Sequence, residues 1–295
     1  MTIEAVRTET HGAVRSIVFC RPDEYNTITP QLRDELDAAI EAADADHRIR
    51  VILLRAEGPA FCAGYGLNWA TRAQAEEQKS RRRAWDSVAD LQMISRYVRT
   101  YLKLWYASKP TIAAVNGWCI AGGTDMILCA DIIIAGESAS FGYPPARVWG
   151  TPTTAMWVYR LGFERAKRYL LTGDEITAAE AARIGLILEV VPDDRLHEHA
   201  MALAERMARV PLSQLQMLKL LCNQPAEQMG LQSSRQFGSL FDGIARHTQE
   251  GLDFVARAEQ VGFRQAVRER DEPFGDYGAG PRARGRAPKN RRDRK

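Results

Sequence analysis

Four short apolar runs constrain this chain more than anything else in it. They are "RVILLRA" from Arg50, "TIAAVNG" from Thr111, "DIIIAGE" from Asp131 and "LILEVVP" from Leu186. None alternates apolar with polar residues, as a strand with one wet face would. Each reads as a strand buried on both faces. The early ones are separated by helical patterns, which makes them members of one α/β sheet with crossovers.

Other segments fill in the frame. "IEAVRTETHGAVRSIVFCRP" alternates and breaks at His11-Gly12, the pattern of a β-hairpin. "TPQLRDELDAAIEAAD" opens a helix with Thr29 as N-cap and Pro30 at its first position. Its apolar stripe is Leu32, Leu36, Ala39, Ile40 and Ala43. A longer helical stripe runs through Trp85, Val88, Leu91, Ile94, Val98, Tyr101 and Trp105, and reads as core. "TPTTAMWVYRLG" repeats the Thr-Pro helix start at Thr151-Pro152. "TAAEAARIG" is a capping box of Thr177 with Glu180, closed by Gly185. From Arg195 to about Arg270 the pattern is helical throughout. The expected organisation is a core over residues 1–194, a helical segment of the same domain over 195–274, and a tail over 275–295.

Charge separates that tail from the rest. Of the 40 basic and 37 acidic residues, eight and one lie in "GPRARGRAPKNRRDRK", leaving 32 against 36 in the body. The tail is basic, has no apolar stripe, and is expected to be disordered and solvated. Nucleic acid as a partner is not expected. No apolar run approaches the roughly 20 residues of a membrane span, and "MTIEAVRTET" carries no secretory pattern. Five scattered cysteines, with no Cys-x-x-Cys pair, read as reduced thiols in a cytoplasmic protein, without a disulfide frame or metal. The His197-x-His199 pair reads as surface, and Arg81-Arg82-Arg83 as an exposed helix face.

Two glycine loops end predicted strands. One is Cys62-Ala63-Gly64-Tyr65-Gly66 and the other Ala121-Gly122-Gly123. Neither has a Walker or dinucleotide spacing. Loops of this kind let backbone approach a ligand and leave N–H groups free. A pair of such N–H groups suits a developing oxyanion. The second loop runs into "TDMILCAD", where Asp125 is followed by Met, Ile, Leu and Cys. A carboxylate there needs partners, or else serves only as a charge at a helix start.

The chain resembles the crotonase, or enoyl-CoA hydratase/isomerase, superfamily. The resemblance rests on "RPDEYNTITPQLRDEL", "FCAGYGL", "KPTIAAVNGWCIAGGTD", "ADIIIAGESASFGYP" and "LTGDEITAAEAARIGLILEVVP", in the family's order, from about Ile3 to Arg270. It implies ββα units around a twisted sheet, a helical C-terminal region that completes a trimer or hexamer, and an acyl-CoA thioester as substrate. Coenzyme A would arrive with the substrate, and no separate cofactor is implied. Carried over, the oxyanion donors are the backbone N–H groups of Tyr65 and Gly122. Cys62, Ala63, Gly64, Gly66, Leu67 and Gly123 fall on the substrate-binding loops. Tyr143, Pro145 and Trp149 would line the acyl pocket, with Arg147 either beside them or solvated.

Three departures from the family pattern stand out. Asp125 stands where hydratases of this family carry the first of two glutamates, and is shorter by one bond of about 1.5 Å. The second glutamate's slot holds Pro145, which can neither give nor take a proton. Gly66 replaces an Asp common in the family. Hydration or dehydration of an acyl-CoA is the simplest expectation. An isomerase using Asp125 alone, a silent acyl-CoA binder, and a protein acting through its tail stay open.

Overall fold

The computed structural model describes residues 4–66 and 86–277. Leu67, Arg81, Arg82, Arg83 and the tail from Gly278 lie outside these residues. The chain opens with the expected hairpin, β1 (Val6–His11) against β2 (Val14–Phe19). Helix α1 (Pro30–Ala45) follows, its Leu32 N–H donating to the Thr29 hydroxyl at 3.2 Å. All five stripe residues named above are buried.

The strands then come in couples: β3 (Val51–Ala56) with β4 (Ala60–Cys62), β5 (Thr111–Val115) with β6 (Trp118–Ile120), and β7 (Ile132–Gly136) with β8 (Ser140–Gly142). Helices α2 (Ser87–Tyr106) and α3 (Gly122–Ile127) follow the first two couples. The first strand of each couple joins a six-stranded sheet, which also takes in β10 (Glu189–Val191) in the order β1-β2-β3-β5-β7-β10. The second joins a four-stranded sheet with β9 (Ile176–Thr177), in the order β4-β6-β8-β9.

Burial on both faces explains the continuous apolar runs. One face of the large sheet turns Ile52, Leu54, Ala113 and Ile133 into the main core. The other turns Val51, Leu53, Ile112 and Ile134 onto helix α7 (Leu196–Met207), through Leu196, Ala200 and Ala204. Before α7 the chain forms α4 (Met156–Leu161), α5 (Phe163–Leu170) and α6 (Ala178–Ile184). Half of the expected capping box forms at the start of α6: Glu180 N–H donates to the Thr177 hydroxyl and Gly185 is left-handed at the end, but the Glu180 carboxylate turns to Tyr169 and Arg183 instead of the Thr177 N–H. Four helices follow α7: α8 (Leu212–Gln228), α9 (Leu231–Ala245), α10 (Gln249–Val261) and α11 (Phe263–Asp271).

Three expectations need correction. The Thr151-Pro152 pair does not open a helix; α4 starts only at Met156, after Ala155 in a left-handed conformation at φ 57°. The Thr153 N–H that a helix would have used is committed to a carboxylate elsewhere. Arg147 is neither solvated nor a pocket residue. Its side chain is 1% exposed and pairs with Asp271 at 2.9 Å and Asp276 at 2.7 Å. The tail boundary at 275 falls early, because Asp276 holds Arg147 and Tyr277 is buried with its hydroxyl donating to Gly173 O at 2.9 Å.

Candidate active site

Strands β4, β6 and β8 are parallel neighbours, so the loops leaving their C-terminal ends lie side by side. Those loops are Ala63–Gly66, Ala121–Gly123 and Tyr143–Gly150. A Cβ placed on Gly64 would lie 3.0 Å from the Ala121 Cβ and 3.7 Å from the Gly122 nitrogen. A Cβ on Gly123 would run into the Cys62 carbonyl. The two glycine loops are therefore in direct contact, and glycine is what permits it.

Both candidate donors are backbone groups with defined directions. Ile28 N–H donates to Gly64 O, and Gly66 N–H donates to Ile28 O, each at 2.8 Å. Tyr65 lies between, so its own N–H turns to the opposite side of the strand. The Gly122 N–H opens helix α3, where no intrahelical acceptor exists. Among the described residues neither N–H has a hydrogen-bond acceptor. Ala121 aims the second donor from φ 54°, ψ −124°, a conformation costly for a residue with a Cβ. The Tyr65 ring crosses Gly122: a Cβ there would sit 2.7 Å from its Cε2. The same ring packs edge-on against Tyr97, and its hydroxyl meets that of Tyr101 at 3.2 Å.

Asp125 is fully buried. Its Oδ2 accepts from the Thr153 N–H at 2.7 Å and the Thr153 hydroxyl at 3.1 Å. Its Oδ1 accepts from the Trp157 indole at 3.3 Å. All three donors are neutral. Burial pushes the carboxyl up to about 7, against the pull of these donors, and the nearby charge of Asp242 adds to the rise. Asp242 belongs to α9, keeps 18% of its side chain exposed, and lies 3.4 Å from the Arg246 guanidinium. Burial pushes its carboxyl up to about 6, opposed by Arg246 and by the Thr151 N–H that faces it. Tyr143 feels both acids: burial raises its phenol, and the charges of Asp125 and Asp242 raise it further. Its hydroxyl donates to Thr151 O at 2.7 Å.

The remaining candidates divide. Cys62 is buried and its thiol is pushed up to about 12 by burial, so it is a wall and not a nucleophile. The Ala63 N–H is committed to Tyr25 O. Pro145 is half-buried in the turn at Pro144–Arg147, where its carbonyl accepts from the N–H groups of Val148, Trp149 and Gly150. Trp149 turns away from Asp125 and stacks on Phe254, with ring centres 5.4 Å apart, in a cluster with α10 and α11. It does not share the site. His199 sits at the surface with Glu189 at 2.9 Å. A cavity of about 510 Å³ opens between α2 and α9, lined by Leu91, Val98, Arg99, Arg235, Phe237 and Ser239. Ser239 donates to Thr153 O at 3.4 Å, which sets this cavity one residue from the Asp125 carboxylate.

Residues 9–265 match the family model for enoyl-CoA hydratase/isomerase. The chain belongs to this family. It is therefore an enzyme of the crotonase superfamily. This enoyl-CoA hydratase/isomerase is similar to a crystal structure of an enoyl-CoA hydratase from Mycobacterium smegmatis, with 43% identity and a TM-score of 0.88. That likeness covers 95% of this chain and 97% of the other. It is 34% identical to the "Probable enoyl-CoA hydratase" of Rhizobium meliloti over 87% of this chain and 97% of that one. It is 31% identical to the 2,3-dehydroadipyl-CoA hydratase of Escherichia coli, over 83% and 92% respectively.

Sequence reasoning missed Thr153, Trp157, Tyr101 and Asp242. For Asp242 a signal existed: like Asp125, it is a lone acid among apolar neighbours, in "SLFDGIA".

Proposed function

We propose that this chain adds water across the 2,3-double bond of an acyl-CoA thioester, or removes it in reverse. The observation that carries this reading is a buried carboxyl pushed to about 7, in the helix that opens with one of two amides that have no acceptor among the described residues. The thioester oxygen would sit between the Tyr65 and Gly122 N–H groups, which favour the enolate over the ground state. Asp125 would exchange a proton with the α-carbon. A group titrating near neutral pH is suited to work in both directions. The acyl chain would lie in the cavity between α2 and α9. Coenzyme A comes with the substrate and no separate cofactor is required.

We read the assembly as a homotrimer or a dimer of trimers. Met217, Leu218, Leu220 and Leu221 on α8 are each more than half exposed, an apolar face that suits a second copy. A light-scattering mass of one 33.0 kDa chain at micromolar concentration would rule this out.

The deciding experiment is hydration of crotonyl-CoA, followed by loss of the enoyl-thioester absorbance. Turnover supports the reading. Migration of the double bond without water addition makes the chain an isomerase. Tight binding of enoyl- and hydroxyacyl-CoA without any turnover makes it a silent binder.

A further inference from the structure

We propose that Asp242, on a helix remote in sequence from the family's motifs, is the second acid/base group of this site and replaces the carboxylate missing at Pro145. The inference rests on the hydratase reading above. Its ground is the segment Thr151–Thr153, which is held from both sides. Thr153 donates twice to Asp125, at 2.7 and 3.1 Å. On its other side the segment is tied to α9: the Thr151 hydroxyl donates to Gly238 O at 3.0 Å, and Ser239 donates to Thr153 O at 3.4 Å. A side chain on Gly238 would press on the Pro152 carbonyl, 2.5 Å from its Cβ.

Asp242 lies one helical turn beyond Gly238 and Ser239, so it falls on the same face of α9. The Thr151 N–H faces it. Two carboxylates thus lie against residues two apart, Asp125 bonded to the Thr153 N–H and Asp242 faced by that of Thr151. Those two nitrogens can be no more than about 7 Å apart in any chain conformation. Tyr65, Tyr143 and Asp125, all lining the candidate site, each feel the charge of Asp242. Asp125 is sealed, whereas Asp242 retains 18% of its surface, enough to meet a water molecule. Pro145 cannot compete for the role.

The partners set the division of labour. Arg246 lies 3.4 Å from Asp242, whereas Asp125 has only neutral donors. Arg246 also binds Asp90, 2.6 Å away, and His247 stands 3.7 Å from Asp90. The ionised form therefore belongs to Asp242 and the protonated form to Asp125. In hydration, Asp242 takes a proton from water as the water oxygen bonds to the β-carbon. The π-electron pair moves to the enolate, whose charge rests on the thioester oxygen. Asp125 then gives its proton to the α-carbon and the carbonyl re-forms. One proton has passed to Asp242 and one has left Asp125. Return of a proton from Asp242 to Asp125 resets the pair.

The test separates the two acids by the step each serves. The parent, Asp125→Asn and Asp242→Asn are assayed for crotonyl-CoA hydration and for exchange of the α-hydrogens of butanoyl-CoA in deuterium oxide. In Asp242→Asn, hydration should fall by about 10²–10⁴ while exchange persists within a few-fold; Asp125→Asn should lose both. Parental hydration in Asp242→Asn would overturn the assignment. Equal loss of both activities in a folded Asp242→Asn would overturn it too, since that marks a structural role. Should the Asn variant not fold, Asp242→Glu decides. A carboxylate displaced by about 1.5 Å should slow hydration at least tenfold and spare exchange, and equal rates refute the role. A parent that exchanges α-hydrogens but hydrates nothing removes the hydratase reading itself, and Asp242's role with it.

Discussion

Two buried ionisable groups, Asp125 and Arg147, stand 22 residues apart in sequence and are treated in opposite ways. Asp125 is surrounded by neutral donors, and burial lifts its carboxyl to about 7. Arg147 is surrounded by anions. Burial alone would weaken its charge, but Asp276 and Asp271 outweigh this and hold the guanidinium more firmly charged than usual. Its rim is closed by the rings of Phe274 and Tyr277, at 3.9 and 5.3 Å from the guanidinium carbon. A buried charge denied a counter-charge is kept close to titrating; one given several is locked. The first arrangement suits proton transfer, and the second ties the end of the chain to the core.

The sharpest way to break this contrast is Asp125→Asn. Loss of a positioned acid/base should lower hydration by about 10²–10⁴ with acyl-CoA affinity largely kept. Steady-state kinetics and calorimetric binding check it, and parental turnover would reduce Asp125 to a helix-start charge.

Arg147→Met should act on stability instead. Removing one partner of a buried ion pair leaves carboxylates uncompensated, at a cost of about 3–5 kcal/mol. Denaturant unfolding measures this. Once folded, the variant should keep its turnover within a few-fold, because the Arg147 guanidinium is committed to Asp271 and Asp276 and not to Asp125.

Acidity separates the two centres further. Asp125 binds its proton more tightly when folded, with a value of about 7 against the ordinary 3.8. The folded protein thus holds the extra proton between roughly pH 4 and 7, and stability attributable to this group falls as pH rises through that window. Melting temperatures of the parent and Asp125→Asn, taken from pH 5 to 8, should diverge in favour of the variant as pH rises. Parallel curves would show that Asp125 titrates at an ordinary value.

The smallest expected effect lies between the loops. Ala121→Gly should stabilise the fold by about 1 kcal/mol, because glycine accepts the positive φ without strain. A lower melting temperature in that variant would mean that the lost methyl packing outweighs the relieved backbone.

What could be read in the sequence follows the range of each interaction. Helix α1 was legible because Thr29, Pro30 and the stripe ending at Ala43 act within one helix. The long buried strands and the glycine loops were legible because strand burial and turn residues are local signals, whereas the short second strand of each couple, such as Ala60–Cys62, came only with the family resemblance. The start of α4 was not, since Thr153 answers to Asp125, 28 residues away. Arg147 was open to a pocket or a solvated position because its carboxylates lie 124 and 129 residues later. The setting of Asp242 in "SLFDGIA" marks it as unusual, but only the packing of α9 brings it to the site. Trp149 followed the motif beside Pro145 in sequence but Phe254 in space.

The distribution of strands between two sheets has a consequence in time. The walls of the candidate site come from residues near 65, 122, 143–153 and 242, on units that meet only through long-range contacts. Chains dominated by such contacts fold slowly, and large ones pass through partly packed intermediates. An intermediate with both sheets paired but α9 undocked would hold the two amides and the Asp125 carboxyl, yet leave the segment Thr151–Thr153 braced on one side only. Recovery of activity during refolding would then lag behind recovery of strand and helix signals. The last event on the pathway would be the closing of a helix over a segment of three residues.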